Sequence, residues 1–268
     1  MKINKITYLI VASFMLLLSA CDPIVDEEHL SNSTNVDGVE LKATQSTPGG
    51  NEITIEMASP GITGYWDYNL GKALTNKIKF VYPIPGKATF KYTGSLGAEF
   101  FTKTIDVQVD KLDHKLDQDW YDLVGTNTAV GKTWVFYKDN PEANGDGPLW
   151  WFMSPPDNSD TAMSAWWNAG ICCPPGDANG KMHFDLNGAA NINHYQTATA
   201  TPTKGSYVLD VKNQKLIVKN AEVLGGTEAG DGTGEYKIIT LTETKMVLWV
   251  NRGKKDKGTG WTFVYKPQ

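Results

Sequence analysis

The sequence predicts an all-β protein of two antiparallel units, a small sandwich followed by a larger β-domain. From Val39 onward, short runs alternate apolar and polar residues with the two-residue period of a half-buried strand. Turn-forming groups separate the runs, among them Pro48-Gly49-Gly50, Pro60-Gly61 and Pro85-Gly86. No segment of residues 39–110 sustains the 3.6-residue period of an amphipathic helix. The 268 residues suffice for two hydrophobic cores.

In the first unit, residues 39–110, the strand-like runs are Val39–Ala43, Glu52–Met57, Ile78–Tyr82, Ala88–Thr93 and Thr104–Val109. Trp66 reads as core. Residues 111–119 are charged and carry no strand pattern, so they read as the linker, with Leu112 and Leu116 spaced for one helical turn. In the second unit, residues 120–268, the runs are Lys132–Tyr137, Lys181–Leu186, Ser206–Val211, Lys215–Lys219, Tyr236–Ile239, Met246–Val250 and Gly260–Tyr265. Polar residues after Val211 connect two of them as a hairpin. This many short strands suits a jelly-roll sandwich or a lipocalin-like barrel, and sequence does not separate the two. Residues 138–180 break the pattern with many Gly, Pro, Asp and Asn, and a segment that long is expected to have a function or local order of its own.

The N-terminus pairs Lys2 and Lys5 with an apolar run from Ile10 to Leu18, the layout of a secretory signal. Leu18-Ser19-Ala20-Cys21 resembles the lipobox of bacterial lipoproteins. That resemblance implies a signal peptide over residues 1–20 and acylation of Cys21, which would anchor the chain to outer-membrane lipid. Residues 21–38 read as a solvated tether, and Asp22, Asp26, Glu27 and Glu28 are similar to the acidic signal that sends some lipoproteins to the outer surface of the outer membrane. No other run of apolar residues is long enough to span a bilayer.

A net charge of −5 lacks the basic footprint of a nucleic-acid binder. The four histidines, His29, His114, His183 and His194, show no metal-ligand spacing, and no nucleophile-elbow, metalloprotease or phosphate-loop motif is present. Between Trp120 and Tyr207 the acids are nearly all Asp in turn-like contexts: Asp139, Asp146, Asp157, Asp160 and Asp177. No strand bears the close-spaced carboxylates of a glycosidase, so catalysis is not expected. Asp139-Asn140, Asn144 and Asp146 offer oxygens to calcium, but their spacing is also ordinary turn chemistry. No metal and no cofactor is expected. Cys172 and Cys173 are adjacent; a disulfide between them would be strained, and two free thiols are the expected state.

The tryptophans are the stronger lead. Eight of the nine follow residue 119, and six lie between Trp120 and Trp167. An indole face stacks on the apolar face of a pyranose while short polar side chains take the hydroxyls. Trp150, Trp151, Asp157, Asn158, Trp166, Trp167 and Asn168 are therefore the candidate carbohydrate-binding residues. Adjacent side chains in a strand face opposite ways, so each Trp pair is expected to send one indole into the core. Trp134, Trp249 and Trp261 lie mid-strand and read as core.

Tyr65-Trp66-Asp67-Tyr68, Phe80-Val81-Tyr82-Pro83 and Pro85-Gly86-Lys87-Ala88-Thr89-Phe90 resemble pieces of the PKD family of immunoglobulin-like modules, although Asn69-Leu70-Gly71-Lys72 departs from its Gly-rich turn. The resemblance implies a spacer. The whole order includes Gly131-Lys132-Thr133-Trp134, a Trp-Trp pair and Tyr236-Lys237-Ile238-Ile239-Thr240-Leu241-Thr242. It is similar to the surface glycan-binding lipoproteins of starch-utilisation-type outer-membrane uptake systems. That implies a non-catalytic protein that captures a polysaccharide or oligosaccharide and passes it to an outer-membrane uptake complex. The Cys172-Cys173-Pro174-Pro175 run departs from that family. The alternatives are an adhesive surface lipoprotein that binds a protein and, further off, a glycoside hydrolase.

Overall fold

The computed structural model describes residues 38–96, 99–156, 162–252 and 256–268. The expected signal peptide, Cys21, the tether as far as residue 37, Asp157 and Asn158 lie outside these residues. The chain is all-β, with antiparallel sheets throughout.

The first unit holds β1 (Leu41–Gln45), β2 (Glu52–Met57), β3 (Thr63–Asp67), β4 (Lys72–Ala73), β5 (Lys77–Val81), β6 (Gly86–Leu96) and β7 (Glu99–Val109). They form a three-stranded sheet, β1-β2-β5, and a four-stranded sheet, β4-β3-β6-β7. The alternation in β2 sends Ile53, Ile55 and Met57 inward and leaves Glu52, Thr54 and Glu56 partly open. Trp66, Phe90 and Tyr92 are fully buried between the sheets, and the Trp66 and Tyr92 rings meet edge to face at 5.1 Å.

The linker is strapped to this unit by Asn51. Its buried amide donates to the His114 carbonyl (3.0 Å) and accepts the His114 N–H (2.8 Å). The Asp113 carboxylate accepts the Thr47 hydroxyl and the Asn51 N–H, and the Thr47 bond above all holds its pKa well below the usual carboxylate range. The helical turn expected from Leu112 and Leu116 is displaced. Helix α1 runs over Gln118–Val124, because Trp120, Leu123 and Val124 supply the buried face while Leu112 stays exposed.

The second unit is a closed ring. β8 (Lys132–Phe136), β12 (Lys181–Asp185), β13 (Asn191–Tyr195), β14 (Thr203–Asp210), β15 (Lys215–Lys219), β16 (Glu235–Leu241), β17 (Met246–Arg252) and β18 (Asp256–Pro267) pair antiparallel. The pairing runs from β12 to β18 in chain order, and β8 closes the ring by pairing with both β12 and β18. Of the two architectures the sequence allowed, this is the up-and-down barrel. Trp134, Phe136, Phe184, Tyr207, Tyr236, Phe263 and Tyr265 are all buried in its core. Eight strands enclose about enough space for side chains, so these rings fill the barrel and a large ligand must bind outside it. Helix α1 caps one end, where the Leu123 carbonyl accepts the Trp134 indole N–H at 2.8 Å. A second small core, Leu149, Phe152, Val247 and Val264, lies on the outside of β17 and β18. Trp249 and Trp261 are buried, as their mid-strand positions predict.

Candidate functional site

The long segment between β8 and β12 has local order of its own. It contains the short hairpin of β9 (Ala143–Asn144) and β10 (Gly147–Pro148), then β11 (Trp151–Ser154), then helix α2 (Ala169–Cys172). β11 adds to the barrel wall by pairing with β18, Trp151 opposite Phe263 and Met153 opposite Trp261. Residues 166 and 167 are clamped to β11 through Met153. Its carbonyl accepts the Trp166 N–H at 2.8 Å, and its N–H donates to the Trp167 carbonyl at 2.9 Å.

This clamp turns both indoles of the second pair outward. Trp166 is 54% exposed and Trp167 45%. Trp167 leans on Trp261 with centroids 6.0 Å apart, and Trp261 stacks on Trp151 at 4.6 Å. A row of three indoles thus runs from the barrel core to the surface.

The first pair is buried whole, Trp150 at 4% and Trp151 at 5% exposure. Trp150 packs edge-on against Phe136 at 5.0 Å, and Gly170 lies against its other side, where a Cβ would come 2.6 Å from the ring. Neither ring offers a face to a ligand, which corrects the expectation that they bind carbohydrate. The expected split of one indole in and one out fails in both pairs. Alternation requires a continuous ladder; Trp150 precedes β11, and Trp166 and Trp167 are held by an isolated bridge.

Asn168 is a second correction. It is 3% exposed, and its amide donates to the carbonyls of Gly147 (3.1 Å) and Pro148 (3.2 Å) and to Asn144 Oδ1 (3.3 Å). It braces the β9–β10 hairpin from beneath and is not available to a ligand. The hairpin carries exposed Asn144 and Asp146. Ile171, 50% exposed, lies over Gly147, its Cδ1 3.3 Å from where a Cβ would stand. Ile171 and the hairpin were not anticipated as part of this face. Their only sequence signal is an apolar residue four positions after Trp167.

Three of the oxygens considered for calcium are engaged otherwise: Asp139 pairs with Lys266, Asn140 Oδ1 accepts the Glu142 N–H at 3.3 Å, and Asn144 Oδ1 accepts the Asp146 N–H at 3.0 Å. No cluster of three His, Cys, Asp or Glu side chains suited to a metal occurs among the described residues. Asp177 is buried under the loop before β16, accepting the Gly225 N–H (2.9 Å) and His194 Nε2–H (3.0 Å). Cys172 and Cys173 are free and exposed. The Cys172 sulfur, accepting the Cys173 S–H, holds the Cys173 thiol above its ordinary pKa.

No family model matches the chain, and a search of curated proteins found no match. Among the described residues no helix is long and apolar enough to cross a membrane.

Proposed function

We propose that the protein is a non-catalytic carbohydrate-binding protein that holds a polysaccharide or oligosaccharide against the indoles of Trp166 and Trp167. The supporting observation is that two adjacent, large aromatic rings face solvent on a backbone fixed at both ends. Met153 clamps the peptide from one side and Asn168 braces it from the other. A rigid aromatic surface open to solvent binds with little loss of rotamer freedom. Asn144 and Asp146 are exposed on the hairpin that Asn168 braces, where short polar groups could take sugar hydroxyls.

In this reading the chain is anchored in the outer membrane through acylated Cys21 and faces the cell exterior. The first β-unit acts as a spacer of the PKD kind, and the bound glycan passes to an outer-membrane uptake complex. Tethering raises the local concentration of ligand at the surface. The test is retardation of residues 22–268 in native gels that contain plant, fungal and host glycans, with release of reducing ends assayed in parallel. Retardation by one glycan class without product release, lost in the Trp166→Ala/Trp167→Ala double variant, supports the proposal. A folded protein that no glycan retards refutes it and favours a protein partner for the same face.

A further inference from the structure

We infer that Cys172 and Cys173 form a modification site, where oxidation closes a vicinal disulfide on the exposed loop that follows the tryptophan pair. The two sulfurs of these consecutive residues at the helix end are turned toward each other, 2.6 Å apart. Both residues are exposed, so an oxidant can reach them. The chain has three cysteines, and the third is Cys21, so the pair has no other thiol within residues 22–268.

The surrounding backbone holds the pair in place. Cys172 ends α2, and the Cys173 N–H donates to the Ala169 carbonyl at 2.8 Å. Pro174 and Pro175 follow with fixed φ, and the Pro175 carbonyl accepts the Ala178 N–H at 2.9 Å. The loop therefore has little freedom to carry one sulfur away from the other.

The oxidant is an accessible disulfide, small-molecule or protein. One cysteine thiolate attacks a sulfur of that disulfide, forming a mixed disulfide and expelling one thiolate. The second cysteine thiolate then attacks the protein sulfur of the mixed disulfide and expels the other. The pair gives up two electrons and two protons, and the oxidant leaves as two thiols. Adjacent Cα atoms sit about 3.8 Å apart, below the usual disulfide span of about 4.4–6.8 Å, so the bond is easier to reduce than an ordinary structural one.

Closure replaces two polar thiols with an apolar S–S ridge directly after Ile171. That extends the apolar surface beside the hairpin, and its part in ligand binding rests on the carbohydrate reading above. The bond itself does not.

The test treats folded residues 22–268 with oxidised glutathione. The expected product is lighter by two hydrogens, and neither cysteine takes iodoacetamide until a phosphine reductant is added. Alkylation of both cysteines after oxidation, or stable glutathione adducts in place of the lighter species, overturns the disulfide. Cys173→Ser should trap one glutathione on Cys172; its failure to do so shows the thiol is out of reach and also overturns it. At least threefold weaker glycan binding after reduction supports the ridge as part of the face, and unchanged binding removes it from the face. A protein that forms the bond but is retarded by no glycan leaves the disulfide standing and refutes the carbohydrate reading.

Discussion

Replacing Trp166, Trp167 and Trp151 singly with alanine should separate binding from stability. A tryptophan side chain carries at most about 250 Å² of surface. The 54% exposure of Trp166 thus leaves about 130 Å² open to a ligand. A sugar ring that covers half of that, at roughly 25 cal/mol per Å², gains about 1.5 kcal/mol, about tenfold in Kd. Trp166→Ala should therefore weaken binding about tenfold while changing stability by less than about 0.5 kcal/mol, as a surface substitution does. Trp167 has a similar open area but also supports Trp261, so Trp167→Ala should lose about as much affinity and about 2 kcal/mol of stability. Trp151 is buried against Trp261, and its replacement should remove about 3–5 kcal/mol of stability. Titration calorimetry with the retarding glycan and urea unfolding of each variant read the two quantities. Wild-type affinity in Trp166→Ala refutes the reasoning. So does a Trp151→Ala protein, folded at the temperature of the titration, that loses as much affinity as Trp166→Ala.

Three further outcomes follow from the packing. Gly260→Ala would place a Cβ 2.2 Å from the buried Trp249 ring and strain the bonds from its indole N–H to Ser154 Oγ and the Pro155 carbonyl. Urea unfolding should show a loss of about 2–4 kcal/mol, reduced below about 1 kcal/mol when the change is made in a Trp249→Leu background; equal losses in both backgrounds would exclude the clash. Asp177→Ala leaves the Gly225 N–H and His194 without their buried acceptor and should destabilise by about 3–5 kcal/mol in the same assay, with a loss under about 1 kcal/mol contradicting it. Asp113 has a depressed pKa in the folded chain, so its contribution is complete above the ordinary Asp value of about 3.9 and fades as pH falls toward the folded value. Asp113→Asn should accordingly lower the urea midpoint at pH 7, and the gap to wild type should narrow below about pH 4; a gap independent of pH would show that the carboxylate charge is not involved.

The strands legible in the sequence were those whose alternation survives unbroken. Glu52–Met57 and Lys215–Lys219 occur with the expected bounds, and Ser206–Val211 lies almost wholly within Thr203–Asp210. β13 was not legible, because its buried residues are Ile192 and His194, with Asn191, Asn193 and Tyr195 alternating with them, and one buried aliphatic residue makes no pattern. β3 was hidden by Gly64 and by the turn-like Trp66-Asp67, although Trp66 was legible as core. The site divides the same way. That residues 138–180 carry local order was readable from the length and the tryptophans. Which indoles face solvent was not, because that depends on two hydrogen bonds to Met153 and on the Asn168 amide beneath the hairpin.

Closure of the barrel has a consequence for the order in which the protein is made and for where it comes apart. Phe136 and Tyr265 are ladder partners although 265 − 136 = 129 residues separate them. Joining ends that far apart carries an entropic penalty of about 4 kcal/mol, against about 1.5 kcal/mol for the hairpin that joins Asp210 to Lys215. The meander from β12 to β18 can therefore form strand by strand, while the seam to β8 must wait for the whole domain and is the first line along which the ring opens. β18 is also the strand that carries Trp261, the prop behind Trp167. A ligand that pins Trp167 would hold that seam shut, so occupancy at the surface should be felt as slower opening of the entire barrel.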